Sequence, residues 1–69
     1  MAVDFDVCIE IDRTGKDKLY YIYKLKNGMK FWLTKNKELD RWDGAKAYVK
    51  TWEQATKLVD QIFAGEICE

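Results

Sequence analysis

The side chains of this 69-residue chain with chemical potential are two cysteines, Cys8 and Cys68, and two groups of carboxylates. Asp4, Asp6 and Glu10 form one group; Asp40 and Asp43 form the other. A thiolate is a nucleophile or a soft metal ligand, and converging carboxylates bind hard cations or exchange protons. Neither pattern is completed by its surroundings. The chain has no histidine, which removes the commonest general base, the serine and cysteine triads, and most zinc and copper sites. Two cysteines near opposite ends match no metal-ligand spacing. No Gly-x-Gly-x-x-Gly or Gly-x-x-x-x-Gly-Lys-Ser/Thr run is present to cradle phosphates. Magnesium or calcium needs more oxygen ligands than either carboxylate group offers. A sheet of this size is also expected to lack the ~300 Å³ hollow typical of small-molecule sites. The expectation is a protein that is not an enzyme, with no catalytic residue, cofactor, metal or small-molecule substrate.

The elements that would carry these residues follow from periodicity. Residues 3–11 alternate, with Val3, Phe5, Val7, Ile9 and Ile11 on one side and Asp4, Asp6, Cys8 and Glu10 on the other. This is the period of a half-buried strand. A polar turn holding Gly15 leads to a second strand over 19–26, and a third follows over 29–34. Residues 35–46 read as a polar connection, with Leu39 and Trp42 as anchors folding it back over an open edge. Residues 47–49 read as a short fourth strand. Thr51 and Gln54 have the spacing of a capping box, and Ala55, Leu58, Val59, Ile62 and Phe63 make an apolar stripe at helical spacing. Gly65 ends the helix and 66–69 form a short tail. The fold class is α+β: an antiparallel β-β-β-(β)-α arrangement, one domain over 1–69, with the C-terminal helix packed on one face of the sheet.

Register decides which side chains face the helix. Asn27-Gly28 suits a two-residue type I′ loop, but that pairing sets Tyr23 beside Trp32 and Phe31 beside Lys24, mixing polarity on both faces. A three-residue loop with a bulge at Gly28 gives one apolar face, pairing Leu25 with Met29, Tyr23 with Phe31 and Tyr21 with Leu33. The bulged loop is therefore expected, because a one-residue slip exchanges faces. The same reasoning pairs Ile11 with Leu19 and Ile9 with Tyr21, and it brings Asp6 beside Lys24 and Asp4 beside Lys26.

Composition narrows the partners. Twelve basic and twelve acidic residues cancel, so no global field draws the chain to nucleic acid or an anionic membrane. The opening residues lack the basic and apolar regions of a signal peptide, and no apolar run reaches the ~20 residues of a membrane helix. A cytoplasmic location with reduced thiols is expected, and a Cys8–Cys68 bridge is the alternative for a secreted chain. In the expected register Cys8, Ile22 and Trp32 share a row on the outer face, with Tyr20 next to it and Lys24 and Lys30 at its rim. An apolar ridge with a charged border has the make-up of a small interface. The candidate contact residues are thus Cys8, Tyr20, Ile22, Lys24, Lys30, Trp32 and Trp42, toward a protein partner or a second copy. The alternative is single-stranded nucleic acid, since residues 13–37 hold eight basic residues with Tyr20 and Trp32 among them,.

The run Ala45-Lys46-Ala47-Tyr48-Val49-Lys50-Thr51-Trp52-Glu53-Gln54-Ala55-Thr56-Lys57-Leu58-Val59 resembles the strand-to-capped-helix ending of many small proteins encoded by phages and bacterial mobile elements. The resemblance extends loosely over 19–63 and rests on the aromatic hairpin, Thr51, Glu53 and Ala55. It transfers no binding residue. It implies an accessory protein, of the kind that includes anti-CRISPR inhibitors, acting on a host defence protein by binding it.

Overall fold

A computed structural model describes residues 4–67. Five strands and one helix follow in chain order: β1 (Asp6–Thr14), β2 (Asp17–Lys26), β3 (Met29–Leu33), β4 (Leu39–Asp40), β5 (Tyr48–Val49) and α1 (Trp52–Phe63), with a short 3₁₀ turn at Asp43–Ala45 before β5. The sheet is antiparallel in the order β1-β2-β3-β4, and β5 pairs with β2. The α+β class and the C-terminal helix are as expected. Val3 and Cys68, and with Cys68 the possible bridge to Cys8, lie outside the described residues.

The hairpin register differs from the expectation, and the turn is the reason. Asn27 and Gly28 both take positive φ, 54° and 77°. That is the two-residue type I′ geometry, whose twist matches that of the strands it joins. It pairs Lys26 with Met29, Lys24 with Phe31 and Tyr23 with Trp32. The first hairpin is shifted too: Ile9 lies opposite Ile22, and Ile11 opposite Tyr20. A shift of one residue turns a strand over. β2 therefore directs Tyr20, Ile22 and Lys24 toward the helix and Tyr21, Tyr23 and Leu25 away from it. β1 and β3 keep their expected faces, with Val7, Ile9, Phe31 and Leu33 in the core and Trp32 on the reverse side. The mixed polarity that argued against this register is absorbed locally: the Lys24 ammonium lies 4.4 Å from the centroid of the Phe5 ring, which turns an inward lysine into a cation–π contact.

β5 and β3 divide one edge of β2 between them. β3 pairs with the stretch from Tyr23 to Lys26, and β5 with Tyr20 and Tyr21. A bridge between Thr34 and Lys46 joins the two ends, and the Ala47 N–H donates to the Leu33 carbonyl at 3.0 Å. Leu39 anchors the connection as expected and is buried. Trp42 does not anchor it; its side chain is 69% exposed.

The helix begins where its cap allows. Thr51 has extended dihedrals, and its hydroxyl accepts from the Gln54 N–H at 3.2 Å, relieving one of the unpaired amides of the first turn. At the other end the Glu66 N–H donates to the Gln61 carbonyl and the Gly65 N–H to the Ile62 carbonyl, with Gly65 at φ 81°. This is the Schellman stop that glycine enables. Ala55 and Ile62 are buried, and Leu58 and Val59 pack against the same cluster. Each fully buried Ile or Leu stabilises by about 1.5–3 kcal/mol. Phe63 is half exposed and stacks on Phe5 at 5.4 Å. Of the residues expected to form a short tail, Ile67 instead turns back and is buried in the core.

Candidate functional site: the helix-free face of the sheet

The helix covers one side of the sheet only, so what β1, β2, β3 and β5 present on the other side is set by strand alternation. One row runs Cys8–Tyr23–Trp32, ending at Asp40, and the next runs Glu10–Tyr21–Tyr48. The rings interlock: Tyr23 and Trp32 have centroids 4.9 Å apart, and Tyr21 meets Tyr48 edge-on at 6.2 Å. Two lysines lie over them. Lys30 Nζ is 4.8 Å from the Tyr23 centroid and 5.6 Å from that of Trp32; Lys46 Nζ is 4.7 Å from Tyr21 and 4.8 Å from Trp32. Between them they leave Trp32 only 5% exposed, although no helix covers it. On the opposite border, β1 contributes Asp6, Glu10 and Asp12 to this face. The surface is an aromatic centre with cations on one side and carboxylates on the other.

Tyr23 joins the aromatic centre to Cys8. Its phenol is held above the ordinary tyrosine value, first by the side-chain hydrogen bond with Cys8, then by desolvation and by the negative charge that Cys8 and Glu10 can carry,. Each cause favours the protonated phenol.

Three of the seven candidate contact residues, Cys8, Lys30 and Trp32, do lie on this face. Tyr20, Ile22 and Lys24 do not. Ile22, at 1% exposure, is the most deeply buried large side chain and belongs to the core. Tyr20 lies under the start of the helix, where it meets the half-exposed Trp52 edge-on at 5.9 Å. Trp42 stands in the connection. Its N–H donates to Asp40 Oδ1 at 2.9 Å, and its indole lies so close over Gly44 that a Cβ there would sit 2.5 Å from Cζ2. Tyr21, Tyr23, Tyr48 and Lys46 were not expected on the face. The signal that places the first two is Asn27-Gly28 read as a two-residue turn.

Among the described residues no group of three or more histidine, cysteine, aspartate or glutamate side chains is placed to hold a metal ion, and no helix is long and apolar enough to cross a membrane. One hollow is larger than a sheet of this size was expected to allow. It measures about 420 Å³ and lies between the β3–β4 turn and the 3₁₀ turn. Two more, of about 250 and 240 Å³, open between the sheet edge and α1. No protein-family model, curated protein or solved structure matches the chain. The fold and this face define it as a small α+β protein with one uncovered aromatic sheet surface.

Proposed function

We propose that the chain is a non-enzymatic protein-binding module whose contact surface is the helix-free face of the sheet. The observation that carries this reading is the gathering of Tyr21, Tyr23 and Tyr48 around the buried Trp32 on a side no helix covers, with charges of both signs at its border. Large aromatic rings lose little side-chain entropy when a partner covers them, and a charged border sets orientation. The resemblance of the strand-to-capped-helix segment extends the reading to an accessory protein of a phage or mobile element that blocks a host defence protein by binding it.

Single-stranded nucleic acid fits less well. The basic residues of 13–37 do not form one stripe: Lys30 lies on the aromatic face, Lys24 points to the helix side, and Lys35 and Lys37 line a hollow elsewhere. The carboxylates of β1 border the same rings that would stack on bases.

The test is affinity capture from a bacterial lysate with three baits: the unaltered chain, a Tyr21→Glu/Tyr23→Glu double variant, and Trp52→Glu on the helix side. Circular dichroism should show all three folded. A partner held by the first and third baits and lost by the second is the expected result. Equal capture by all three overturns the site. A low-salt mobility shift with a single-stranded oligonucleotide, abolished by the double variant and by added salt, would transfer the face to the nucleic-acid reading.

A further inference from the structure

The two smaller hollows between α1 and the sheet edge share Lys37, Val49 and Leu58 in their linings. Their floor is apolar, formed by Leu33, Val49 and Leu58, and it reaches the core. Their rim carries Lys35, Lys37 and Lys57. Among the described residues that line them, none is a carboxylate. In a chain whose charges cancel, three cations around an apolar trough and no anion make a local excess with a definite complement.

Lys37 adds a second, independent observation. Its φ is 59°, in the left-handed region where glycine or asparagine is the usual occupant and a long side chain raises the backbone energy. The turn around it is well tied. The Thr34 N–H donates to the Glu38 carbonyl at 2.8 Å, the Lys37 N–H to the Thr34 carbonyl at 3.0 Å, and the Glu38 N–H to Thr34 Oγ1 at 3.2 Å. Glycine would serve this turn better. A lysine kept at an unfavourable φ, and set in the lining of both hollows, suggests a use for its ammonium.

We infer that this trough is a binding site for a small amphiphilic anion, a carboxylate with a short alkyl body. The alkyl body lies on Leu33, Val49 and Leu58, and the carboxylate reaches the ammonium groups of Lys37 and its neighbours. Each hollow is smaller than the ~300 Å³ typical of drug-sized sites, which suits a short alkyl chain rather than a larger ligand,. The hollows share only Tyr48 with the helix-free face, and the variants that test them, at Lys37 and Lys57, lie off that face, so the two proposals stand or fall apart.

Octanoate is the probe and octanol its neutral counterpart, each titrated into the ¹³C-methyl-labelled protein. The expected result is saturable movement of the Leu58 and Val49 methyl resonances by octanoate, with weaker binding of octanol. Lys37→Gly should melt at the same or a higher temperature yet bind octanoate roughly two- to fivefold more weakly, the range expected for one solvent-accessible ion pair. Its octanol affinity should not change. Lys57→Gln, on the exposed side of a helix that stays capped, should lose a similar factor. Octanol binding as tightly as octanoate, the loss of neither factor on substitution, or no saturable shift at millimolar octanoate would each overturn the site.

Discussion

Replacing Ile22 by alanine separates the observed register from the alternative more sharply than any other single change. Ile22 is 1% exposed, faces Ile9 across the first hairpin, and sits in the cluster with Leu33, Ala55 and Ile62. Sheet on one side and helix on the other leave little room for collapse around the missing methyl groups. The cost should therefore lie well above the lower end of the 2–5 kcal/mol seen for such truncations, about 3–4 kcal/mol. A core in a chain this short supplies only roughly 3–5 kcal/mol in all, so the variant should be close to unfolded at room temperature. Its melting point should fall by at least about 12 °C, at about 4–8 °C per kcal/mol for a domain of this size. Urea unfolding followed by tryptophan fluorescence and by circular dichroism measures the change, with Tyr23→Ala as the companion. Tyr23 lies on the uncovered face, so its truncation should cost distinctly less. If Ile22→Ala lost under about 1 kcal/mol while Tyr23→Ala lost several, β2 would be the other way up and the aromatic face would not exist. The comparison also governs how the interface is probed, because a charged residue at Ile22 would abolish binding by unfolding the chain rather than by removing a contact.

Gly28→Ala should destabilise by roughly 1–2 kcal/mol from backbone conformation alone, since φ is 77° and nothing lies within 4 Å of the added Cβ; a neutral outcome in the same urea titration would mean that Gly28 does not hold the left-handed conformation. Tyr23 provides a pH test. Its raised value means that the fold favours the protonated phenol. That contribution is complete below the unfolded value near pH 10 and is lost as pH climbs through the higher folded value. Ultraviolet titration should therefore show Tyr23 ionising above the ordinary tyrosine value, and Cys8→Ala should lower it; a titration unchanged by Cys8→Ala would sink the Cys8–Tyr23 link.

Periodicity made β1, β2, β3, the helix and its cap legible, whereas β4 lies inside what reads as a polar connection. The alternation of β1, the Thr51 cap, the Ala55-to-Ile62 stripe, the stop at Gly65 and the outward placement of Trp32 all follow from residue types at known spacings. The facing of β2 did not. Tyr20, Tyr21, Ile22 and Tyr23 are four apolar or amphipathic residues in succession, so period two has no contrast to work with there. Only the polarity of the two faces then distinguishes the registers, a weak criterion when lysine is the residue out of place. Its alkyl stem packs like a hydrophobe, and its ammonium finds a ring, as Lys24 does over Phe5 and Lys30 and Lys46 do over Trp32,. Turn chemistry was the stronger signal, and Asn27-Gly28 specified the register that the face pattern seemed to forbid. Ile67 was unreadable for a different reason: an apolar residue two positions past a helix stop has no periodic neighbour to reveal where it goes.

The connection between β3 and β5 is tied at its neck, by the Thr34–Lys46 bridge and the Ala47-to-Leu33 hydrogen bond, while its outermost residues, Arg41 to Gly44, are exposed. A loop sealed at its base transmits little of what happens at its tip. Foreign residues spliced between Arg41 and Gly44 should thus be tolerated without disturbing the sheet. That makes the apex a natural place to graft an epitope, a fluorophore or a second binding head, with both proposed sites left open.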